Sequence, residues 1–255
     1  MAGKLRRPIS ITLIGALAAL ALAGCGAGEA EGRTELFIYV SAPLIRDSGL
    51  LPQDAIDAAG MALADAGQEA GGIPVGLKVL TGSDPGADAS LTAALGAREA
   101  ARDSKAIGYI GEFAPEATAA SVPITNGAGI PQVAPFATTG ELLREREGGT
   151  DIPTSVQTSG VRTLIALVEE GGPLPTLPAE GRELLRRFET EFGRRAGKSV
   201  PFAYESMALL LDALDRARDP LDRGSVVAAL LETRDRDSIL GTYSIDPSGV
   251  ARFEP

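Results

Sequence analysis

Histidine and tryptophan are absent from this chain, cysteine occurs once, and lysine occurs only at positions 4, 78, 105 and 198. Without histidine there is no Ser–His or Cys–His nucleophile pair and no imidazole-bound zinc. One cysteine makes neither an intramolecular disulfide nor a thiolate metal cluster. No lysine stands in a Ser-x-x-Lys setting, so that route to an activated serine is closed as well. Aromatic residues make up 4% of the chain, too few for a base-stacking platform. The formal charge of −10 repels a phosphate backbone, so nucleic acid is not an expected partner. What remains is ordinary globular composition, 44% hydrophobic and 23% charged over 255 residues, enough for one large domain or two small ones. Carboxylate pairs such as Asp212 and Asp215 occur at helical spacing, but with 34 acidic residues such pairs are unremarkable in number. No catalytic constellation stands out, and no metal or cofactor is expected.

The first residues are an address. Lys4, Arg6 and Arg7 precede an apolar run from Pro8 to Leu22, which is too short for a good membrane span. The run ends Leu22-Ala23-Gly24-Cys25, which resembles the lipobox of bacterial lipoproteins. The resemblance implies a signal peptide over 1–24, lipidation of Cys25 and an extracytoplasmic location on the bacterial cell membrane. The alternative is an ordinary signal peptide with an incidental cysteine. Removing 1–24 leaves 21 basic against 34 acidic side chains, a net charge of −13. Such a chain is not held electrostatically by an anionic bilayer, so acyl chains would have to anchor it. Residues 25–34 then read as the lipidated cysteine and a small, polar tether.

From residue 35 onward strand and helix signals alternate. Residues 35–41 form a near-continuous apolar run, the mark of a strand buried on both faces. Asp54 is the expected N-cap of a helix carrying Ile56, Ala59, Leu63 and Ala66, with Gly71-Gly72 as its terminator. Val75, Leu77 and Val79 alternate as a second strand, and residues 87–102 read as a helix with Leu91 and Leu95 at helical spacing. Residues 106–111 are a third strand, Pro115 opens a helix to about Asn126, and 130–134 is a fourth strand. Periodicity leaves 161–168 open between strand and helix. Three helices follow near 179–196, 202–217 and 222–234, then a strand at 239–245 and a type I turn at Asp246-Pro247-Ser248-Gly249. The pattern predicts an α/β fold with a parallel sheet covered on both faces, whose ligands bind beyond the carboxyl ends of the strands. That directs attention to the loops 41–47, 111–116 and 135–140.

Three stretches resemble the type I periplasmic solute-binding proteins, in particular the branched-chain amino acid receptors of ABC transporters. The first is Ile38-Tyr39-Val40-Ser41-Ala42-Pro43-Leu44, with Ala70-Gly71-Gly72-Ile73 beyond it. The second runs from Tyr109-Ile110-Gly111 through Ala128-Gly129-Ile130-Pro131-Gln132-Val133-Ala134-Pro135 to Ala137-Thr138. The third is Phe188-x-x-Glu191-Phe192-Gly193, Pro201-Phe202-Ala203-Tyr204-Glu205-Ser206, and Leu240-Gly241-x-Tyr243-Ser244-Ile245-Asp246. The family folds as two lobes that clamp a solute, and its chain leaves lobe one, builds lobe two and returns. By that resemblance 35–149 is the outgoing part of lobe one and 179–255 the returning part. Only 150–178 lies between them, little more than one βα unit, so most of the second lobe is expected to be absent.

The resemblance implies a non-enzymatic protein that binds a small, amino acid-like solute and delivers it to an ABC permease. Its candidate contacts are Ser41 and Leu44, then Phe113, Pro115 and Glu116, then Phe136, Ala137 and Thr138. Thr138 matches the family position that meets the solute's amino and carboxylate groups. Where members usually carry Ser-Gly or Ser-Ser after the third strand, this chain has Ala114-Pro115-Glu116, which lacks an N–H at Pro115 and adds a negative charge. Glu116 would attract a cation or simply favour the helix dipole, and Phe113 and Phe136 would line a pocket or pack in the core. Tyr204-Glu205 is expected to be structural. Arg186-Arg187 and Arg194-Arg195 are expected to be a solvated, mixed-charge face. The competing reading is a degenerate single-lobe lipoprotein that acts as an interaction or sensing module, or a remnant without retained function.

Overall fold

The apolar run near the start forms β1 (Leu36–Ser41), the centre of the molecule. In the computed structural model the described residues are 34–42, 51–80, 88–135, 163–168 and 175–254. They contain, in order after β1, α1 (Pro52–Asp65), β2 (Glu69–Ala70), β3 (Ile73–Leu80), α2 (Ala89–Arg102), β4 (Ala106–Ile110), α3 (Pro115–Gly127), β5 (Gln132–Ala134) and β6 (Leu164–Ala166). Then come α4 (Ala179–Phe192), α5 (Ser199–Arg216), α6 (Arg223–Leu231), β7 (Tyr243–Ile245) and β8 (Ala251–Phe253).

The main sheet has the order β2-β3-β1-β4-β5-β6. All its pairings are parallel except β2 with β3. The Gly71-Gly72 pair is therefore not a helix stop. Its two positive φ angles, 60° and 72°, build the two-residue turn of the β2–β3 hairpin. Within the stretch that periodicity left open, Leu164–Ala166 is strand, since β6 pairs with β5. β7 and β8 form a separate hairpin that touches the main sheet through a parallel bridge between Val250 and Ala166. The expected turn before β8 is present, with the Gly249 N–H donating to the Asp246 carbonyl at 2.9 Å.

Side chains on β1 and β4 divide between two cores. Ile38, Val40, Ala42, Ile107, Ile110 and Phe113 join the larger one, under α1, α4, α5 and α6. Tyr39, Tyr109 and Ala106 join a smaller one on the opposite face, with Ala97 and Ala100 of α2. Burying large aliphatic side chains on both faces is worth about 1.5–3 kcal/mol each and explains the lack of polar alternation in β1 and β4.

Several local expectations fail for identifiable reasons. Helix α1 is opened by Leu51 and Pro52, not capped by Asp54. The Asp54 carboxylate is buried and taken by distant groups: it accepts from Arg194 Nε at 3.0 Å and from the Gly197 N–H at 3.1 Å. Leu91 and Leu95 each keep 56% of their surface exposed. The buried stripe of α2 is Ala93, Gly96, Ala97 and Ala100, small residues that let α2 approach Leu80 and α3 closely. Val79 is likewise exposed, because β2 covers only the first part of β3's outer edge. Arg194 is no solvated surface charge, since it also pairs with Asp57 and lies over the rings of Phe188 and Phe192 at 4.9 and 5.2 Å. Arg187 grips Asp65 with two hydrogen bonds of 2.9 and 3.0 Å.

Candidate functional site

With the β2 hairpin set aside, the parallel strands run 2-1-3-4-5 in order of appearance. In that arrangement the chain leaves β1 and β4 toward opposite sides of the sheet, and the region beyond their carboxyl ends is where sheets of this kind place ligands. Ser41 ends β1 there. Gly111, Glu112 and Phe113 follow β4 there, and α3 starts at Pro115.

The two strand ends come unusually close. A Cβ on Gly111 would stand 2.4 Å from the Ser41 carbonyl oxygen, and Gly111 has φ of 128°, a region that L side chains rarely adopt. Glycine is therefore required to bring β4's exit against β1. The Gly111 N–H donates to the Val133 carbonyl at 2.9 Å, and its own carbonyl accepts from Gln132 Nε2 at 2.7 Å. Gln132 is itself held by Thr125, whose hydroxyl donates to Oε1 at 2.6 Å, and its Nε2 also donates to Ser121 Oγ at 2.8 Å.

Glu112 sits inside this seam with 0% of its surface exposed. Its carboxyl accepts from Ser41 Oγ at 2.8 Å and from the Tyr109 phenol at 2.7 Å. The Ser121 hydroxyl of α3 donates instead to the Thr118 carbonyl at 3.3 Å. Burial dominates and pushes the Glu112 carboxyl up to about 7, while the Tyr109 and Ser41 donors pull the other way. The same burial, with Glu112 beside it, raises the Tyr109 phenol well above its ordinary value.

Of the sequence candidates, Ser41 is buried and engaged with Glu112. Phe113 is buried in the larger core. Pro115 and Glu116 are exposed on the first turn of α3, whose cap residue Ala114 offers no side-chain hydrogen bond. Leu44, Phe136, Ala137 and Thr138, and the lipidation candidate Cys25, lie outside the described residues. Glu112 precedes α3 and is buried, whereas Glu116, four residues on, is exposed on its first turn. The residues that organise the seam, Gly111, Glu112, Tyr109, Ser121 and Gln132, are the ones sequence reasoning passed over as site residues. Their signal is a carboxylate directly after an uninterrupted apolar strand, a place where burial is hard to avoid.

Tyr204 and Glu205 are structural, as expected. Glu205 is buried and accepts from Arg236 Nε and the Tyr243 phenol, each at 2.7 Å, tying α5 to the β7 hairpin. The Tyr204 hydroxyl donates to Asp65 at 2.7 Å. A shallow groove of about 490 Å³ lies far from the strand ends, beside α4, lined by Glu183, Arg187, Tyr204 and Ile239 among others. Among the described residues no cluster of acidic or cysteine side chains is arranged to hold a metal ion, and no helix is long and apolar enough to cross a membrane.

The sequence matches no family model and no curated protein. Solved structures do resemble it. The substrate-binding protein of a branched-chain amino acid transporter from Streptococcus pneumoniae, in complex with isoleucine, superposes with a TM-score of 0.60 at 14% identity, covering 85% of this chain and 93% of its own. A leucine-binding protein from Thermotoga maritima gives 0.61 at 16% identity, over 85% and 93%. An ABC transporter solute-binding protein from Rhodopseudomonas palustris, in complex with 3,4-dihydroxybenzoic acid, gives 0.62 at 13% identity, over 86% and 91%. The strand order, the helices on both faces and these superpositions agree: the chain has the type I periplasmic-binding fold, and its mostly parallel six-stranded sheet is that of one lobe.

Proposed function

We propose that this protein is the solute-binding component of an ABC transporter, tethered by a lipid at Cys25 and holding a small amino acid-like solute without chemical change. The observation that carries the reading is the reversal of strand order between β1 and β4, in a fold whose solved neighbours include proteins complexed with isoleucine and with leucine. In this reading 1–24 is the signal peptide, 25–34 the tether and 35–255 the binding domain, with 150–178 a shortened connection. The solute would meet the loops after β1, β4 and β5, through Leu44, Pro115, Glu116, Phe136, Ala137 and Thr138, and pass to a permease, while the buried Ser41 and Phe113 would only position those loops. Because Pro115 presents no N–H and Glu116 stands in the first turn, α3 is poorly suited to a carboxylate. The amine end of a zwitterion suits it better.

The test is a thermal-shift screen of the detergent-solubilised full chain against the amino acids and small aromatic acids. A solute bound only by the folded state stabilises it by about 2.7 kcal/mol at a hundredfold excess over Kd. A saturable shift with one solute class supports the reading, and a cooperative melt that no solute moves refutes it. The second reading, a lobe that docks a partner, draws on the exposed Leu91 and Leu95, one turn apart on α2. Under it the melt is cooperative, no solute shifts it, and Leu91→Ser with Leu95→Ser abolishes association.

A further inference from the structure

We propose that α2 is a self-association surface, through which two copies of this protein pair with their α2 helices antiparallel. Among the described residues the exposed large apolar side chains are Leu51, Val79, Leu91, Leu95 and Leu221. Scattered singly, such residues need no explanation. Leu91 and Leu95 are the two that share a helix, each 56% exposed. They stand in a longer exposed stripe, Asp88, Leu91, Leu95, Arg98 and Arg102, whose alternating steps of three and four residues are those of a helix–helix contact line. The inner stripe of α2 is already used against Leu80 and α3, so this outer one is left over. The residues beside it, Thr92, Ala94 and Ala101, are small and half-buried, which lets a second helix come close.

The order of charges along the stripe selects the occupant. It is acidic at its start, apolar in the middle and basic at its end. A second copy laid antiparallel about the level of Ala93 puts Leu91 against the partner's Leu95 and Asp88 against the partner's Arg98. A parallel pair would instead set acid on acid and base on base. The antiparallel pair is two-fold symmetric, so it closes on itself as a dimer. Within one chain these charges are unspent. Arg98 and Arg102 have no ion-pair partner among the described residues, and at four residues' spacing they repel each other. Arg186, Arg187 and Arg216, by contrast, pair with Glu183, Asp65 and Asp212. Asp88 caps α2 with one oxygen, which accepts from the Ser90 N–H at 2.8 Å, and its other oxygen has no donor among the described residues. A stripe that is its own complement needs no other partner. α2 is about 21 Å long, and one helix pair of that length buries less than the about 1,200 Å² of a standard interface, so the dimer is weak and concentration-dependent. The proposal takes the α2 surface of the second reading above and names its occupant, and it stands whether or not the lobe also captures a solute.

The experiment is sedimentation equilibrium of the full chain in density-matched detergent, at protein concentrations up to about 500 μM. Wild type is expected to show a monomer–dimer equilibrium. Leu91→Ser with Leu95→Ser is expected to weaken it about tenfold or more with the melting temperature unchanged, since both side chains are exposed. Arg98→Glu sets two acids together across the pair, and Asp88→Arg sets two bases together. Each alone is expected to weaken association about tenfold or more, and an equimolar mixture of the two to restore it, because each copy then offers what the other lacks. Should Asp88→Arg fail to fold for want of its cap, Asp88→Asn keeps the cap and decides: it is expected to weaken the dimer about threefold or more, through two symmetry-related pairs. A wild type that stays monomeric, an association that the double serine variant leaves unchanged, charge variants that do not associate on mixing, or an Asp88→Asn variant that dimerises like wild type overturns the proposal. A thermal-shift screen that finds no solute would defeat the transport reading while leaving these readouts as they are.

Discussion

Replacing Gly111 by alanine tests the close approach of the ends of β1 and β4. The added Cβ would stand 2.4 Å from the Ser41 carbonyl oxygen, well inside any real contact, and the obstacle is backbone. The φ of 128° adds a second penalty, about 1–3 kcal/mol for a non-glycine residue in such a region. Forcing β1 and β4 apart adds a cost comparable to overpacking a core, again about 1–3 kcal/mol. Together these come to roughly 2–6 kcal/mol, a large part of the stability of an ordinary domain. For a unit of this size the melting temperature should fall by roughly 4–24 °C, using about 2–4 °C per kcal/mol. Gly60→Ala is the control, because α1 has nothing within 4 Å of a Cβ at that site. There the substitution should stabilise by about 0.5–1 kcal/mol through helix propensity alone. Calorimetry or circular dichroism on the two variants reads both numbers. A Gly111→Ala variant that melts within about 2 °C of wild type would show that the strand ends are not locked together, and the seam would lose its basis.

Arg223 donates to three carbonyls, those of Asp103, Ala106 and Ala128, at 2.8, 2.8 and 2.9 Å. Arg223→Met should cost about 2–4 kcal/mol in urea titrations, and Arg223→Lys should recover less than half, since one ammonium cannot span three acceptors. Asp103 and Asp246 are each held down at about 2: burial works against them, but Lys78 and backbone N–H at one, and Ser248, Arg252 and backbone N–H at the other, prevail. Their contribution is present above the ordinary carboxylate range and is lost as pH falls toward 2, so Asp103→Asn should flatten the acid limb of stability against pH. Glu112 has the opposite sign. Its carboxyl is raised from 4.5 to about 7, so its contribution is complete below 4.5 and is lost as pH rises to 7. Wild type should lose about 3 kcal/mol relative to Glu112→Gln over that interval, and parallel curves for the two would contradict the assignment.

How far the sequence carried each feature depended on whether its cause was local. β1 and β4 were legible because a strand covered on both faces must be apolar throughout, and Pro115 marked the start of α3 because proline tolerates only the first turn. Asp54 looked like a cap because its chemistry suits one. It serves instead a guanidinium 140 residues away, which no window of sequence contains. In α2 the helical period was legible and the buried face was not: a close crossing of α2, α3 and β3 is built from alanine and glycine, which carry little hydrophobic signal, while Leu91 and Leu95 are exposed. The same holds for Glu112 and Glu116. Four residues apart and chemically identical, they differ because one is buried against Ser41 and Tyr109 and the other is exposed.

A carboxyl at this point in the sheet is not what packing alone would choose. The neighbouring positions Ile110 and Phe113 turn to the larger core and are apolar, so the backbone there accommodates large apolar residues. On the other face β1 and β4 each bring a hydroxyl to the carboxyl, those of Ser41 and Tyr109. An aliphatic side chain would leave those two hydroxyls without their acceptor, at about 1–3 kcal/mol for each one buried. A glutamate side chain satisfies them together, one on each oxygen, and so ties the end of β1 to the end of β4.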